Sequence, residues 1–320
     1  MTQIPERIFI LEEGPREGFQ IEKGPIPTAR KVELIDALSQ TGLQQLQIVS
    51  FVDPRRVPGM ADAEDVVAGI TPREGVVYTG LWLNERGFER ALATRRLDMR
   101  GTIVAGASDL FLKRNQNRSI DEQLEAQRAL VRRYKSLNVP IRRGGVMAAF
   151  GCNYEGDVPI ARVVKLVGEI LAIAHENDVS LDYVSLADTM GWASPLAIKR
   201  MTGALQDAYP NMEWALHLHD TRGLGIANAY AGLEMGVSRY DAALAGLGGC
   251  PFAGNAGAAG NVCTEDLVLM CHEMGIETGV DLEQLIECAK LAEDIVGHPL
   301  PGAVKIGGTL QRLRASMKSA

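Results

Sequence analysis

The sequence has no long hydrophobic run and no closely spaced cysteine pair. No stretch approaches about 18 uninterrupted apolar residues, the length at which a run becomes a candidate transmembrane helix. The N-terminal residues lack the basic and apolar regions of a secretory signal peptide. The five cysteines are odd in number and include no CxxC spacing, which predicts free thiols in a reducing compartment. These absences predict a cytoplasmic protein with no membrane partner.

Positive charge is not in excess either. Lys and Arg number 33 against 40 Asp and Glu, a net charge of −7, which argues against nucleic acid as the natural partner. The 320 residues are 46% hydrophobic and 23% charged, an ordinary globular composition. No linker or low-complexity segment divides them, so we expect a single domain over residues 1–320.

Short apolar runs, many of them β-branched, alternate with longer helical patterns. The predicted strands cover residues 8–13, 46–51, 76–81, 101–106, 141–147, 183–187, 213–219 and 240–244. The predicted helices cover 28–41, 63–68, 85–94, 120–137, 159–177, 194–208, 225–235, 264–274 and 282–296. Strands that are apolar on both faces and followed by helices indicate parallel βαβ units. Eight such units predict an α/β fold, a (β/α)8 TIM barrel over about 7–250 with additional C-terminal helices at 264–297.

An open, doubly wound sheet is the alternative architecture. It is less favoured, because no GxGxxG turn follows the first predicted strand. In a barrel, the active site lies on the loops after the C-terminal ends of the strands. The polar residues at those ends therefore become the candidates for function.

Two histidines stand at the end of the seventh predicted strand. His217 and His219 belong to the run WALHLHDTR (214–222), and residues i and i+2 of a strand point to the same face. Two imidazoles on one face form a pair of ligands for a divalent metal ion. On this stretch alone, two sheet histidines with satisfied hydrogen bonds are an equally weighted alternative.

Other polar residues also follow predicted strands. Arg16 and Glu17 come after the first strand, and Asp188 comes after the sixth. Histidine, carboxylate and amide ligands together suit Mg²⁺ or Mn²⁺ better than Zn²⁺. The glycine-rich segment 246–261 after the last strand is either a flexible surface loop or a lid that closes over a substrate. Its Cys250 is either an inert thiol or one brought to the reacting centre.

Four motifs mark these strand ends: GPREGFQ (14–20), SFVDP (50–54), HLHDT (217–221) and GLGGCPF (246–252). Together they resemble the 3-hydroxy-3-methylglutaryl-CoA (HMG-CoA) lyases, which belong to a wider group of metal-dependent barrel enzymes that includes isopropylmalate and homocitrate synthases. Further matching segments are GASDLF (106–111) with Asn115, GCNYEG (151–156), LADTMG (186–191) and GNVCTED (260–266). The resemblance covers about residues 7–296, and the motif around Cys250 is similar to the lyase branch rather than to the synthases.

The resemblance implies a (β/α)8 barrel, Mg²⁺ or Mn²⁺ as the cofactor, a CoA thioester substrate and a homodimer. The implied metal ligands are Glu17, His217, His219 and Asn261. The implied catalytic residues are Arg16, Asp188, Cys250 and His217, and the implied cofactor contacts are Lys23, Arg143 and Asn115. Some of these have alternative roles: Arg16 as a clamp on the first loop, Asp188 as a partner that orients a histidine, and Lys23 and Arg143 as solvated charges.

Three departures from the family's pattern lie close to these residues. The family has Asp where this chain has Glu17, and the extra methylene extends the carboxylate by roughly 1.5 Å. It has Glu where this chain has Gln47, which removes a negative charge. The segment between Cys250 and Asn261 is about two residues longer than usual. These departures bear on the identity of the substrate more than on the reaction type.

The reaction implied by the resemblance is a retro-Claisen cleavage of HMG-CoA into acetoacetate and acetyl-CoA. Asp188, Glu17 or a bound water would remove the hydroxyl proton. Arg16 would stabilise the thioester oxygen, and Cys250 or His217 would protonate the enolate. The first alternative is the same chemistry on a methylmalyl- or citramalyl-type thioester. The second is a metal-binding relative without activity.

Overall fold

The computed structural model describes residues 4–22, 24–248 and 260–318. These residues group into two compact units. One unit contains residues 98–240, and the other contains residues 6–97, 241–248 and 260–318. The expectation of a single domain over residues 1–320 stays a prediction.

The strands follow the predicted order along the chain. They are β1 (Phe9–Glu12), β2 (Gln45–Ser50), β3 (Val77–Leu81), β4 (Gly101–Gly106), β5 (Ile141–Met147), β6 (Gly151–Cys152), β7 (Gly156–Asp157), β8 (Tyr183–Asp188), β9 (Glu213–Leu218) and β10 (Arg239–Ala242). Each of the eight predicted strands is present, with its ends within two residues of the predicted ones. The two-residue hairpin β6–β7 was not predicted.

The helices alternate with these strands. They are α1 (Phe19–Ile21), α2 (Thr28–Leu38), α3 (Ala63–Gly69), α4 (Glu85–Thr94), α5 (Asp109–Gln116), α6 (Ile120–Ser136), α7 (Ile160–Glu176), α8 (Pro195–Ala208), α9 (Gly225–Glu234), α10 (Thr264–Glu273), α11 (Leu282–Val296), α12 (Val304–Gly307) and α13 (Leu310–Lys318). A π-helical turn, Gly14–Gly18, follows β1. None of the helices in the described ranges has the length and apolarity that a membrane crossing needs.

In the unit with residues 6–97, 241–248 and 260–318, β1, β2 and β3 pair in parallel. The end of β10 joins them through the Glu13 N–H, which donates to the carbonyl of Ala242 at 2.8 Å. Asp281 caps the N-terminus of helix α11, and its carboxylate accepts from the N–H groups of Glu283 and Gln284. Such a cap satisfies donors that the first helical turn leaves unpaired.

In the unit with residues 98–240, β4, β5, β8 and β9 pair in parallel. The register of β8 and β9 places Ala187 beside His217 and Asp188 beside Leu218. Helix α6 begins with a capping box, in which Ser119 and Glu122 satisfy each other's backbone N–H groups. The C-terminal ends of β8 and β9 therefore carry Asp188 and the two histidines at the same level.

The eight major strands, β1 to β5 and β8 to β10, are each followed by a helix, as the (β/α)8 class requires. The predicted fold class is confirmed. Helices α1, α5, α12 and α13 were not among the predicted ones. In α5 the apolar residues Phe111 and Leu112 are buried, but the neighbouring Leu110 is 46% exposed. With only eight residues and one buried apolar pair, the helix shows too little hydrophobic periodicity to be recognised from the sequence.

Candidate active site

The imidazoles of His217 and His219 meet at the end of β9. Their Nε2 atoms are 3.1 Å apart, and His219 is buried while His217 is half-buried. Because the two residues are i and i+2 around a strand end, the backbone itself brings both rings to one face. Two ring nitrogens this close match either a single N–H···N hydrogen bond or two donors to one cation. The structure therefore brings the predicted histidine pair together.

Asp188 ends β8 beside this pair. Its two carboxylate oxygens accept backbone N–H groups, from Trp192 at 2.7 Å and from Ala193 at 3.0 Å. Burial raises the pKa of Asp188 above its ordinary value, against the lowering effect of these hydrogen bonds and of the two nearby histidines. The carboxylate thus organises the turn that follows β8 and lies close to the imidazoles.

Arg143 and Asn115 lie in the same unit. Arg143 pairs with Tyr183 near the start of the strands, and its guanidinium donates to Ser185 Oγ at 3.0 Å. Ser185 pairs with Ala215, two residues or ~7 Å before His217 on the same face. Asn115 is half-buried in α5, which follows β4. The predicted contacts of these two residues with a cofactor stay predictions.

Arg16 and Glu17 lie in the π-helical turn Gly14–Gly18, and both side chains are buried. The Nη2 of Arg16 is 2.6 Å from Glu13 Oε2 and 3.1 Å from Glu17 Oε2. Its Nε donates to Gln47 Oε1 at 2.7 Å. Three oxygen atoms from two segments of the chain therefore hold one guanidinium, which is more than a clamp on a single carboxylate.

Glu17 also contacts Asn261. The Asn261 Nδ2 donates to Glu17 Oε2 at 3.1 Å, and Asn261 is fully buried. Within the described part of the chain, Asn261 Oδ1 accepts no hydrogen bond although it is buried. A buried amide oxygen that lacks a donor matches the needs of a metal ligand.

Gly248 lies against Glu17. A Cβ at this position would stand 3.1 Å from Glu17 Cγ, and its φ of +106° disfavours any other residue. The backbone of residue 248 therefore limits where the longer carboxylate of Glu17 lies.

Two acidic residues of the site were missed by the sequence reasoning. Glu12 is fully buried, and its carboxylate accepts from Gly14 N–H, Leu244 N–H and Thr264 Oγ1 at 2.7, 2.9 and 2.5 Å. Burial raises the pKa of Glu12 to about 7. Glu13 is also buried, and it carries the ion pair to Arg16. The available signal was a pair of acidic residues directly after an apolar strand.

Lys23 and Cys250 lie outside the described residues. The other four cysteines are free thiols and are buried: Cys152, Cys263, Cys271 and Cys288. Burial raises the pKa of Cys271 and of Cys288 to about 12, which makes these thiols poor nucleophiles. The predicted catalytic thiol is therefore not replaced by either of them.

The predicted metal ligands form two pairs. One unit holds the imidazoles of His217 and His219, and the other holds the carboxylate of Glu17 beside the amide of Asn261. Nitrogen and oxygen donors without thiolate suit a divalent ion such as Mg²⁺ or Mn²⁺. The chemistry of the donors fits the implied cofactor.

Comparison with known proteins gives consistent matches. The mitochondrial hydroxymethylglutaryl-CoA lyase of Gallus gallus is 42% identical over 283 residues, which are 88% of this chain and 91% of the relative. The structure of the Bacillus subtilis HMG-CoA lyase is 36% identical with a TM-score of 0.87, and the match covers 98% of this chain and 100% of that one.

A third match, an HMG-CoA lyase from Acinetobacter baumannii, was solved in complex with coenzyme A and 3-methylmalate. It is 35% identical with a TM-score of 0.86, over 97% of this chain and 98% of that one. The matches confirm the predicted relation to HMG-CoA lyases and the predicted lyase class. The HMGL-like family model matches residues 7–292, and the chain belongs to this family.

Proposed function

We propose that the protein is a divalent-metal-dependent carbon–carbon lyase that cleaves HMG-CoA into acetoacetate and acetyl-CoA. The observation that carries this proposal is the histidine pair at the end of β9, with Nε2 atoms 3.1 Å apart in a chain of the HMGL-like family. HMG-CoA carries a hydroxyl and a carboxylate, and a divalent ion held by this histidine pair would act on them as a Lewis acid.

The ligands in this proposal are Glu17, His217, His219 and Asn261, and the ion is Mg²⁺ or Mn²⁺. Supporting observations are the contact of the two histidines in one unit and that of Glu17 with Asn261 in the other. When bound, the ion lowers the pKa of the substrate hydroxyl and neutralises charge on its oxygen.

Separate residues then remove the hydroxyl proton, stabilise the enolate and protonate C2. Asp188 takes the proton of the substrate hydroxyl, a role that its raised pKa favours. The C2–C3 bond breaks, its electron pair moves onto the thioester as an enolate, and C3 becomes the ketone of acetoacetate. Arg16 stabilises the enolate oxygen. Cys250, or alternatively His217, gives a proton to C2, which completes acetyl-CoA.

The binding of the CoA part falls to Lys23, Arg143 and Asn115 in this proposal. Lys23 and Arg143 are cations that suit phosphate groups. The complex of the Acinetobacter baumannii relative with coenzyme A supports a CoA-bound substrate.

The decisive test is an assay of the purified protein with HMG-CoA after removal of metal by EDTA. Mn²⁺ or Mg²⁺ is added back, and acetoacetate is followed. We expect metal-dependent cleavage whose rate falls at least ~1000-fold in His219→Ala. The control is His272→Ala, which should keep the parental rate. His272 lies in α10, and its imidazole contacts Thr278 Oγ1. Cleavage that is insensitive to EDTA and to His219→Ala would contradict the proposal.

A Glu17→Asp variant examines the departure at the ligand position. Comparable kcat in parent and variant would show that either carboxylate length serves. Activity on HMG-CoA in the variant alone would mean that Glu17 adapts the site to another substrate. Metal binding without turnover of any thioester, in both proteins, would favour the inactive relative.

The second candidate is the same cleavage of a methylmalyl- or citramalyl-type CoA thioester. It is favoured by the 3-methylmalate held together with coenzyme A in the Acinetobacter baumannii relative, and by the substitutions Glu17 and Gln47 beside the site. A panel of hydroxyacyl-CoA thioesters, with detection of the released oxo acid, ranks the substrates by kcat/KM.

We also propose a homodimer and a cytoplasmic location. The dimer rests on the resemblance alone and is tested by light scattering coupled to gel filtration. For the location, the Gallus gallus relative is named mitochondrial, so fractionation of the native cells is the test. Recovery in an organelle fraction would overturn the cytoplasmic location.

A further inference from the structure

Arg16 is held through two nitrogens of its guanidinium. Nη2 contacts Glu13 Oε2 at 2.6 Å and Glu17 Oε2 at 3.1 Å, whereas Nε donates to Gln47 Oε1 at 2.7 Å. The Arg16 and Glu13 side chains are only 9% and 3% exposed, so solvent screens this ion pair little. Contacts at both Nη2 and Nε restrict the orientation of this planar guanidinium.

Backbone hydrogen bonds position Glu13 independently of its side-chain contacts. Its N–H donates to the carbonyl of Ala242 at 2.8 Å, and its own carbonyl accepts from the N–H groups of Arg16 and Glu17 at 3.0 and 2.7 Å. Glu13 thus joins the end of β10 to the first residues of the π-helical turn. Its carboxylate has a defined position three residues before Arg16.

Gln47 binds the Nε of Arg16 without charge. It lies in β2 opposite Thr79, just before a register shift in the pairing of β2 with β3. An amide oxygen accepts from Nε as a carboxylate does, but it leaves the positive charge of Arg16 unbalanced. Glu13 and Glu17 each place a carboxylate against Arg16, and the proposed function assigns Glu17 to the metal ion.

We infer that Glu13 is the positioning residue for Arg16, with Gln47 as its neutral counterpart at Nε. This inference rests on the proposed function, in which Arg16 stabilises the enolate oxygen. Glu13 supplies the carboxylate that keeps the guanidinium oriented when Glu17 is engaged elsewhere. Residues 13 and 47 therefore orient Arg16 together, and one of the two must carry a carboxylate.

The test is an exchange of the carboxylate between the two positions. Glu13→Gln keeps the shape of the side chain and removes its charge, so kcat should fall by about 10- to 100-fold with little change in KM, as expected for loss of a buried charge-assisted hydrogen bond. Gln47→Glu added to Glu13→Gln returns a carboxylate to Arg16, and should recover at least about tenfold in kcat.

The matched control is Glu33→Gln. Glu33 forms the same i,i+3 ion pair with Arg30, but on the surface of α2 with its side chain 48% exposed, and its loss should leave kcat unchanged. Thermal midpoint and bound manganese are measured for every variant. A fall in kcat that follows the thermal midpoint and is not relieved by Gln47→Glu would overturn the inference, and so would parental kcat in Glu13→Gln.

Failure of the proposed function and failure of the role of Glu13 give different results. If the parent protein cleaves no hydroxyacyl-CoA thioester, the proposed function fails whatever residue 13 is. If the parent cleaves a thioester and the exchange gives no recovery, only the role of Glu13 fails.

Discussion

Replacing Glu12 by glutamine is expected to stabilise the protein more at pH 8 than at pH 5. Glu12 is fully buried at the end of β1, and burial raises the pKa of its carboxyl from 4.5 to about 7. At a pH between these two pKa values, Glu12 is protonated in the folded protein and ionised in the unfolded chain. The stability is therefore greatest below the lower value, and it falls as the pH rises through the higher one.

The size of the effect follows from the two pKa values. A tenfold change in an ionisation constant corresponds to about 1.4 kcal/mol, so the parent loses ~3 kcal/mol over the whole range and ~2.5 kcal/mol of it between pH 5 and pH 8. Glutamine mimics the protonated carboxyl. Its oxygen accepts from the N–H groups of Gly14 and Leu244, and its amide donates to Thr264 Oγ1 once that hydroxyl has rotated.

The assay is guanidinium unfolding of parent and Glu12→Gln at pH 5 and pH 8, followed by circular dichroism. The free energy of unfolding of the variant, relative to that of the parent, should rise by ~2.5 kcal/mol between the two pH values. Glu33→Gln, at an exposed carboxylate, should show the same difference at both. A Glu12→Gln difference that stays constant with pH would refute the reasoning, because the other titrating groups are common to both proteins.

Two further substitutions probe the candidate site. Asp188→Asn removes a carboxylate that accepts two backbone N–H groups of the following turn. It should lower kcat by at least ~100-fold with a small fall in thermal midpoint. Unchanged kcat would exclude Asp188 as the base. Gly248→Ala adds a Cβ 3.1 Å from Glu17 Cγ at a φ of +106°, and calorimetric titration should show Mn²⁺ affinity about tenfold weaker than in Gly223→Ala. At Gly223, φ is also positive but the space is open, so equal affinities would contradict a contact effect on Glu17.

Local pattern was enough for much of this protein. The strands were predictable because short apolar runs bounded by Gly, Ser or Asp are typical of strands that are buried on both faces. His217 and His219 were predictable as a pair because two residues along a strand set their common face, whatever the rest of the fold does. The family motifs extended this to Arg16, Glu17, Asp188 and Asn261 as candidates.

Other features depended on the folded chain. Asn261 donates to a carboxylate 244 positions away, and Thr264 to one 252 positions away, and no local pattern encodes such pairings. Helix α5 was missed because eight residues with one buried apolar pair give little periodicity.

The sequence by itself determined the alternation of strands and helices, the family, and which residue types stand at the strand ends. Only the tertiary structure decided what those residues do to one another. Burial raises the pKa of Glu12, and packing brings Glu13 to the Nη2 and Gln47 to the Nε of Arg16. The physical reason is that desolvation and ion pairing depend on which atoms surround a group in space, whereas periodicity depends only on neighbours along the chain.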